Sequence, residues 1–188
     1  MRAYVPNGLT LMRIVLVPVL VVVLLTEFEG KEWYGLGLFL LAALTDFLDG
    51  YLARRWKKVS RLGKLLDPAA DKILTAAAFI SLVGLGVAPS WMVTVIVARE
   101  FAVSALRAFA ASEQVVIPAG WSGKLKTVVQ AVAVSLLIIH NQLGELRHLA
   151  PLSLWIAVAI TLFSGADYFF RYRRSLAGRV EPIEAHGS

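Results

Sequence analysis

Asp46 and Asp49 are three residues apart, Asp67 and Asp71 are four apart, and both pairs lie in otherwise apolar surroundings. Residues at those separations share one face of a helix. If the two stretches are helices joined by the short basic connection between them, both pairs project the same way at the same depth. Four carboxylates then collect in one place. Kept ionised at the edge of hydrocarbon, they would repel one another and need counter-charge. Arg54 can supply one positive charge, and the remainder calls for metal. The chain has no cysteine, and His140, His148 and His186 form no ligand spacing, so the donors must be oxygens. Oxygen donors favour hard cations, Mg²⁺ first and Mn²⁺ or Ca²⁺ next. Two divalent ions would balance four carboxylates, and a paired site suits the clamping of a diphosphate. Taken singly, these aspartates also have ordinary uses, as ion-pair partners of the basic connection or, for Asp67 before Pro68, as a helix N-cap. Four together at helical spacing favour the functional reading, because intramembrane carboxylates are rare and usually functional.

The elements that carry them follow from composition. Of 188 residues, 58% are hydrophobic and only 17% charged, with mean hydropathy +0.70. A soluble core cannot hide that much apolar surface, so the excess must face lipid. Six segments are long enough to cross a bilayer: approximately Leu9–Thr26, Trp33–Leu52, Pro68–Val87, Trp91–Ala111, Trp121–Leu143 and Pro151–Tyr172. Lipid cannot satisfy open backbone groups, and the alternating short strands of a barrel are not seen, so the segments are expected to be helices. The fold class is therefore an all-α integral membrane protein, six transmembrane helices in one bundle. Trp33, Trp91, Trp121 and Trp155 fall at or near span ends, where an amphipathic ring suits the interface.

The net charge of +6 is distributed unevenly. Arg54, Arg55, Lys57, Lys58, Arg61 and Lys64 crowd the connection after the second span, Arg107, Lys124 and Lys126 flank the one after the fourth, and Arg171, Arg173, Arg174 and Arg179 follow the sixth. The opposite connections hold little beyond Lys31 and Arg147. The positive-inside rule then puts both termini and the basic connections in the cytoplasm of a multi-pass inner-membrane protein. A nucleic-acid partner would not require this alternation. Met1–Asn7 reads as a short interfacial segment, no signal-peptide cleavage site is visible, and no linker divides the bundle. Residues 1–180 form one membrane domain; 181–188 read as a flexible tail whose closing Gly187–Ser188 resembles a cloning remnant.

The residues between the aspartates sharpen the chemistry. Asp46 opens D-F-L-D-G-Y-L-A-R, and eight residues later comes G-K-L-L-D-P-A-A-D. Gly50 and Ala53 permit close approach of a neighbour or ligand, Arg54 can reach a phosphate, and Gly63 permits a tight bend. Together they read D-x2-D-G-x2-A-R-x8-G-x3-D-x3-D, a pattern that resembles the signature of the CDP-alcohol phosphotransferases at every fixed position: Asp46, Asp49, Gly50, Ala53, Arg54, Gly63, Asp67 and Asp71.

That resemblance implies a six-helix membrane enzyme, commonly a homodimer, that takes a CDP-linked lipid and an alcohol and releases CMP. It implies that Asp46, Asp49, Asp67 and Asp71 hold a metal pair, with Asp71 also the base that deprotonates the acceptor hydroxyl. It implies that Gly50, Ala53, Arg54 and Ser60 line the CDP site. P-N-G-L-T-L-M-R, A-R-E-F-A-V-S-A-L-R and G-K-L-K-T extend the likeness from Pro6 to about Gln130, most closely to the branch of the family that makes phosphatidylglycerophosphate. The substrates so implied are CDP-diacylglycerol and sn-glycerol 3-phosphate, with Mg²⁺ as cofactor.

A phosphorylated acceptor is also favoured on physical grounds. Arg99, eight residues inside its span, is expected to face the bundle interior, and with Arg107 and Lys124 it could donate to the acceptor phosphate. The same residues could instead pair structurally (Arg99 and Glu100 with neighbouring helices) or anchor the cytoplasmic side. Asn7, Thr10 and Arg13 could touch the cytidine or a phosphate, although capping serves equally for the first two. The rival readings are a sister enzyme whose acceptor is inositol phosphate, serine or phosphatidylglycerol, and a cation channel or transporter lined by the aspartates. The channel is disfavoured because all four carboxylates share one depth instead of tracing a path.

Overall fold

The computed structural model describes residues 5–56, 61–113 and 120–177, with side chains described over 12–45, 72–113 and 120–175. The described residues are all helical apart from turns. The helices are α1 (Val5–Leu25), α2 (Lys31–Trp56), α3 (Arg61–Gly84), α4 (Ser90–Ser112), α5 (Trp121–Ile138) and α6 (Leu149–Ala177). Two short 3₁₀ turns, His140–Gln142 and Gly144–Leu146, join α5 to α6.

Each of the six expected segments is a helix, but most of their boundaries moved. α1 takes in Val5–Asn7, so the expected interfacial segment is partly the first turn of a helix; Met1–Tyr4 lie outside the described residues. α3 begins at Arg61, well before Pro68, so Asp67 lies inside the helix and its reading as an N-cap is excluded. Pro68 also falls inside, where it removes one intrahelical hydrogen bond. α5 ends at Ile138, short of Leu143, and α6 continues to Ala177 past Tyr172. Hydropathy places apolar runs well and ends poorly, because the polar last turns of a helix carry no apolar signal.

α1 packs along both α2 and α3, α5 lies along α6, and α4 rests on α6. Smaller contacts of α3 with α2, α4 and α5, and of α2 with α5, complete the bundle. The centre is filled by Leu20, Phe39, Phe79, Leu82, Ile96 and Leu137, all at most 2% exposed. α1 and α2 approach closely at Gly35, where an added Cβ would lie 2.6 Å from Leu24 Cδ2. A side chain there would have to displace the Leu24 side chain. α3 ends in a tight reversal in which Val87 and Ala88 N–H both donate to Leu82 O (2.9 and 3.2 Å), with Gly86 at φ +71°. A positive φ of that size is one that glycine adopts without penalty.

The outside of the bundle is unusually apolar. Trp121 (74%), Phe163 (68%) and Tyr34 (64%) are among many large side chains left exposed. Gly144–Ser175 is long and apolar enough to cross a membrane, and Met12–Leu25 and Lys72–Gly84 are shorter apolar helical stretches. A cavity of about 360 Å³ opens at the end of the bundle holding the α1–α2, α3–α4 and α5–α6 connections. Its polar lining is Glu27, Lys31, Glu32, His140 and Asn141, and Lys31 Nζ lies 2.7 Å from Glu27 Oε1.

Candidate active site

Asp46 and Asp49 belong to α2, Asp67 and Asp71 to α3, and these helices touch each other and share α1 as a neighbour. The side chains of all four aspartates lie outside the described residues, as do those of Asn7, Thr10, Gly50, Ala53 and Arg54 on their helices; Ser60 lies outside entirely. The positions flanking the acids are described. Thr45, before Asp46, is buried and donates its hydroxyl to Ala42 O at 2.7 Å, within its own helix. Lys72, after Asp71, is half-buried and donates to Ser104 Oγ on α4.

Arg13 on α1 is fully buried. α1 and α2 are joined by a short connection and run antiparallel, and Leu24 meets Gly35. At about 1.5 Å of rise per residue in both helices, eleven residues back along α1 matches eleven forward along α2, which puts Arg13 at the level of Asp46. A guanidinium taken wholly out of water needs a charged or hydrogen-bonding partner.

α4, α5 and α6 form a polar group of their own. Arg99 is an interior residue, its side chain only 9% exposed. Its Nη1 donates to Glu100 Oε1 at 2.9 Å and its Nη2 to Ser164 Oγ of α6 at 2.8 Å. Its Nε is buried without a protein partner. Gly165 makes room for this side chain, since a Cβ there would stand 3.1 Å from Nε and 3.2 Å from Cγ. Lys126 of α5 pairs with Glu100 Oε2. Gln130, 4% exposed, donates through Nε2 to Glu100 Oε1 (3.3 Å) and to the fully buried Thr161 (2.9 Å). Ser104 donates to Glu100 O at 2.5 Å, so Lys72 beside Asp71 is joined through Ser104 to the Glu100 turn of α4. Lys72, Thr75, Glu100, Lys126 and Gln130 line one narrow cavity of about 20 Å³.

Of the three cations expected to serve an acceptor, Arg99 is thus interior and Arg107 lies two turns further along α4. The Arg107 guanidinium sits 5.4 Å from the centre of the Tyr168 ring, a favourable cation–π arrangement. Lys124 is exposed, and the lysine that turns inward is Lys126. At the start of α5, Ser122 donates to Asp167 at 2.6 Å and Arg171 donates to the same carboxylate at 3.0 Å, fastening α5 to α6. Gln130, Thr161, Ser164 and Tyr168 were not singled out from the sequence. Their signal was present: polar side chains inside apolar spans seek partners within the bundle.

Comparison with known proteins bears on the same residues. The family model for CDP-alcohol phosphatidyltransferases matches residues 3–163, beyond the Gln130 limit read from motifs alone and into α6. The chain is 44% identical to the CDP-diacylglycerol–glycerol-3-phosphate 3-phosphatidyltransferase of Bacillus subtilis (strain 168) over 178 residues, covering 87% of this chain and 92% of the relative. It is 37% identical over 167 residues to the protein of the same name from Rickettsia bellii (strain RML369-C), covering 87% and 92%. It is 33% identical over 206 residues to the one from Cereibacter sphaeroides (strain ATCC 17023), covering 88% and 93%.

Proposed function

This chain belongs to the CDP-alcohol phosphatidyltransferase family, and from that premise we propose how its residues transfer the phosphatidyl group of CDP-diacylglycerol to sn-glycerol 3-phosphate. The products are phosphatidylglycerophosphate and CMP. One observation supports this acceptor best: a buried cationic group, Arg99 with Lys126, is linked through Glu100, Ser104 and Lys72 to the helix turn that carries Asp71. Arg99 and Lys126 are charge-assisted donors of the kind a phosphate-bearing acceptor would use.

Asp46, Asp49, Asp67 and Asp71 fit a site for two divalent ions: an all-carboxylate donor set on adjoining helices, in a chain without cysteine. Mg²⁺ bound there would draw charge from the diphosphate and stabilise the leaving CMP. Asp71 takes the proton of the acceptor's primary hydroxyl. That oxygen forms a bond to the phosphorus bearing diacylglycerol, the bond from the same phosphorus to the bridging oxygen breaks, and CMP departs with that oxygen. Gly50 and Ala53 let the CDP end approach α2, Arg54 and Ser60 donate to its phosphates, and Asn7 and Thr10 of α1 contact the cytidine or a phosphate. Arg99, Arg107 and Lys126 hold the acceptor phosphate as charge-assisted donors, with Lys124 at the mouth.

The six helices span the inner membrane with both termini and the acidic site on the cytoplasmic side, and the protein works as a homodimer. The exposed apolar side chains and the alternation of basic connections support the membrane reading. The direct test is purified protein in detergent with CDP-diacylglycerol and labelled glycerol 3-phosphate. CMP release is expected with Mg²⁺, to vanish with chelator and to return when Mg²⁺ is restored. Inositol phosphate, serine and phosphatidylglycerol are run as alternative acceptors, and faster turnover with any of them would overturn the assignment. Ion flux without CMP release would favour a channel.

A further inference from the structure

Glu100 is the one acidic side chain in the polar group that joins α4, α5 and α6, among the described residues, and it touches two of the proposed acceptor-binding cations at once. We propose that Glu100, braced by Gln130, is a positioning residue that holds Arg99 and Lys126 ready for the acceptor's phosphate. The inference rests on the reading that those cations bind glycerol 3-phosphate.

The geometry divides the carboxylate cleanly. Oε1 receives Arg99 Nη1 at 2.9 Å and Gln130 Nε2 at 3.3 Å, while Oε2 receives Lys126. All three charged side chains are largely enclosed, at 9%, 12% and 15% exposed for Arg99, Glu100 and Lys126. Arginine and lysine lose much rotamer freedom when a ligand fixes them, and two cations drawn to one small site repel each other. A carboxylate between them does both jobs in advance: it restrains the side chains and screens their repulsion. Glu100 could still swing if it were held only by the cations. Gln130 prevents this, because its amide is also tied to Thr161, which is 0% exposed on α6. Ser164 holds the other end of Arg99, and the second N–H of each terminal nitrogen remains to donate to a ligand. Glu100 thus restrains the cations without needing to touch the acceptor.

The test uses the full chain in detergent, with KM measured separately for each substrate and with thermal unfolding as a control. Glu100→Gln is expected to raise KM for glycerol 3-phosphate about tenfold or more, the scale of a hydrogen bond to a charged group. KM for CDP-diacylglycerol should stay within about twofold, as for a contact that serves one substrate only. Gln130→Met, which removes the brace and keeps the ion pairs, should move the same KM in the same direction by about threefold in folded protein, with a modestly lower unfolding temperature from the partner lost to Thr161. Unaltered KM values in folded Glu100→Gln protein would overturn the inference, as would a parallel rise in both or a fall in kcat alone. If Glu100→Gln does not fold, Gln130→Met decides, and an unaltered KM there sinks the idea. Lys126→Gln separates the two readings. A raised KM for glycerol 3-phosphate in Lys126→Gln with none in the Glu100 and Gln130 variants overturns the positioning role alone. No effect of Lys126→Gln removes the acceptor site and the inference together.

Discussion

At the scale of single residues, access to the site is governed by what is absent as much as by what is present. Arg99 lies against α6 because Gly165 has no side chain; a Cβ there would press on Nε and Cγ at 3.1 and 3.2 Å. Gly165→Ala should therefore displace the guanidinium from Ser164 while the bundle still folds, costing about 1–3 kcal/mol at a tightly packed contact. Steady-state kinetics should register it as a weaker acceptor KM with the CDP-lipid KM unmoved. Asp71→Asn is a different kind of change. It keeps the size of the side chain and removes the proposed base, so turnover should fall by roughly 10²–10⁴-fold while circular dichroism stays native. The interior position of Arg99 was legible from its depth within an apolar span. Which lysine turns inward was not: Lys124 and Lys126 are two residues apart, point to different sides of α5, and only the ion pair with Glu100 of α4 tells them apart.

At the scale of elements, the contact of α1 with α2 sets the register of the acidic end. Leu24 fits against Gly35, and from that contact Arg13 and Asp46 arrive at the same level. Gly35→Val should push the two helices apart, costing about 1–3 kcal/mol and lowering the unfolding temperature in detergent. It should also depress activity, although Gly35 is more than two helical turns from Asp46. Equal activity in a destabilised variant would show that the register does not depend on this contact. The helical period of the aspartates was readable in advance, because three- and four-residue spacing is a local property. The early start of α3 at Arg61 was not. The basic residues ahead of Asp67 look like a connection, yet lysine, arginine and leucine are good helix formers, and the helix runs back through them.

At the scale of the whole molecule, the apolar exterior and the alternating charge predict a definite orientation. The chain carries no cysteine, so single cysteines report position without interference. In sealed membrane vesicles of known sidedness, Glu29→Cys should react with an impermeant maleimide from the face opposite the cytoplasm. Arg173→Cys should react from the cytoplasmic face. Labelling of both from one side would refute the six-span arrangement with cytoplasmic termini.

From the sequence alone came the helical class, the apolar segments, the acidic pairs at helical spacing and the family resemblance, all of which depend on residue type and short-range order. The tertiary structure decided that Glu100 bridges Arg99 and Lys126, that Gln130 is tied to Thr161, and that Gly165 receives Arg99. Apart from Arg99 and Glu100, which are neighbours in the chain, those partners are 26 to 66 residues apart. No local period encodes such pairs; they arise only when several helices pack and each buried polar group must find a mate among the few within reach.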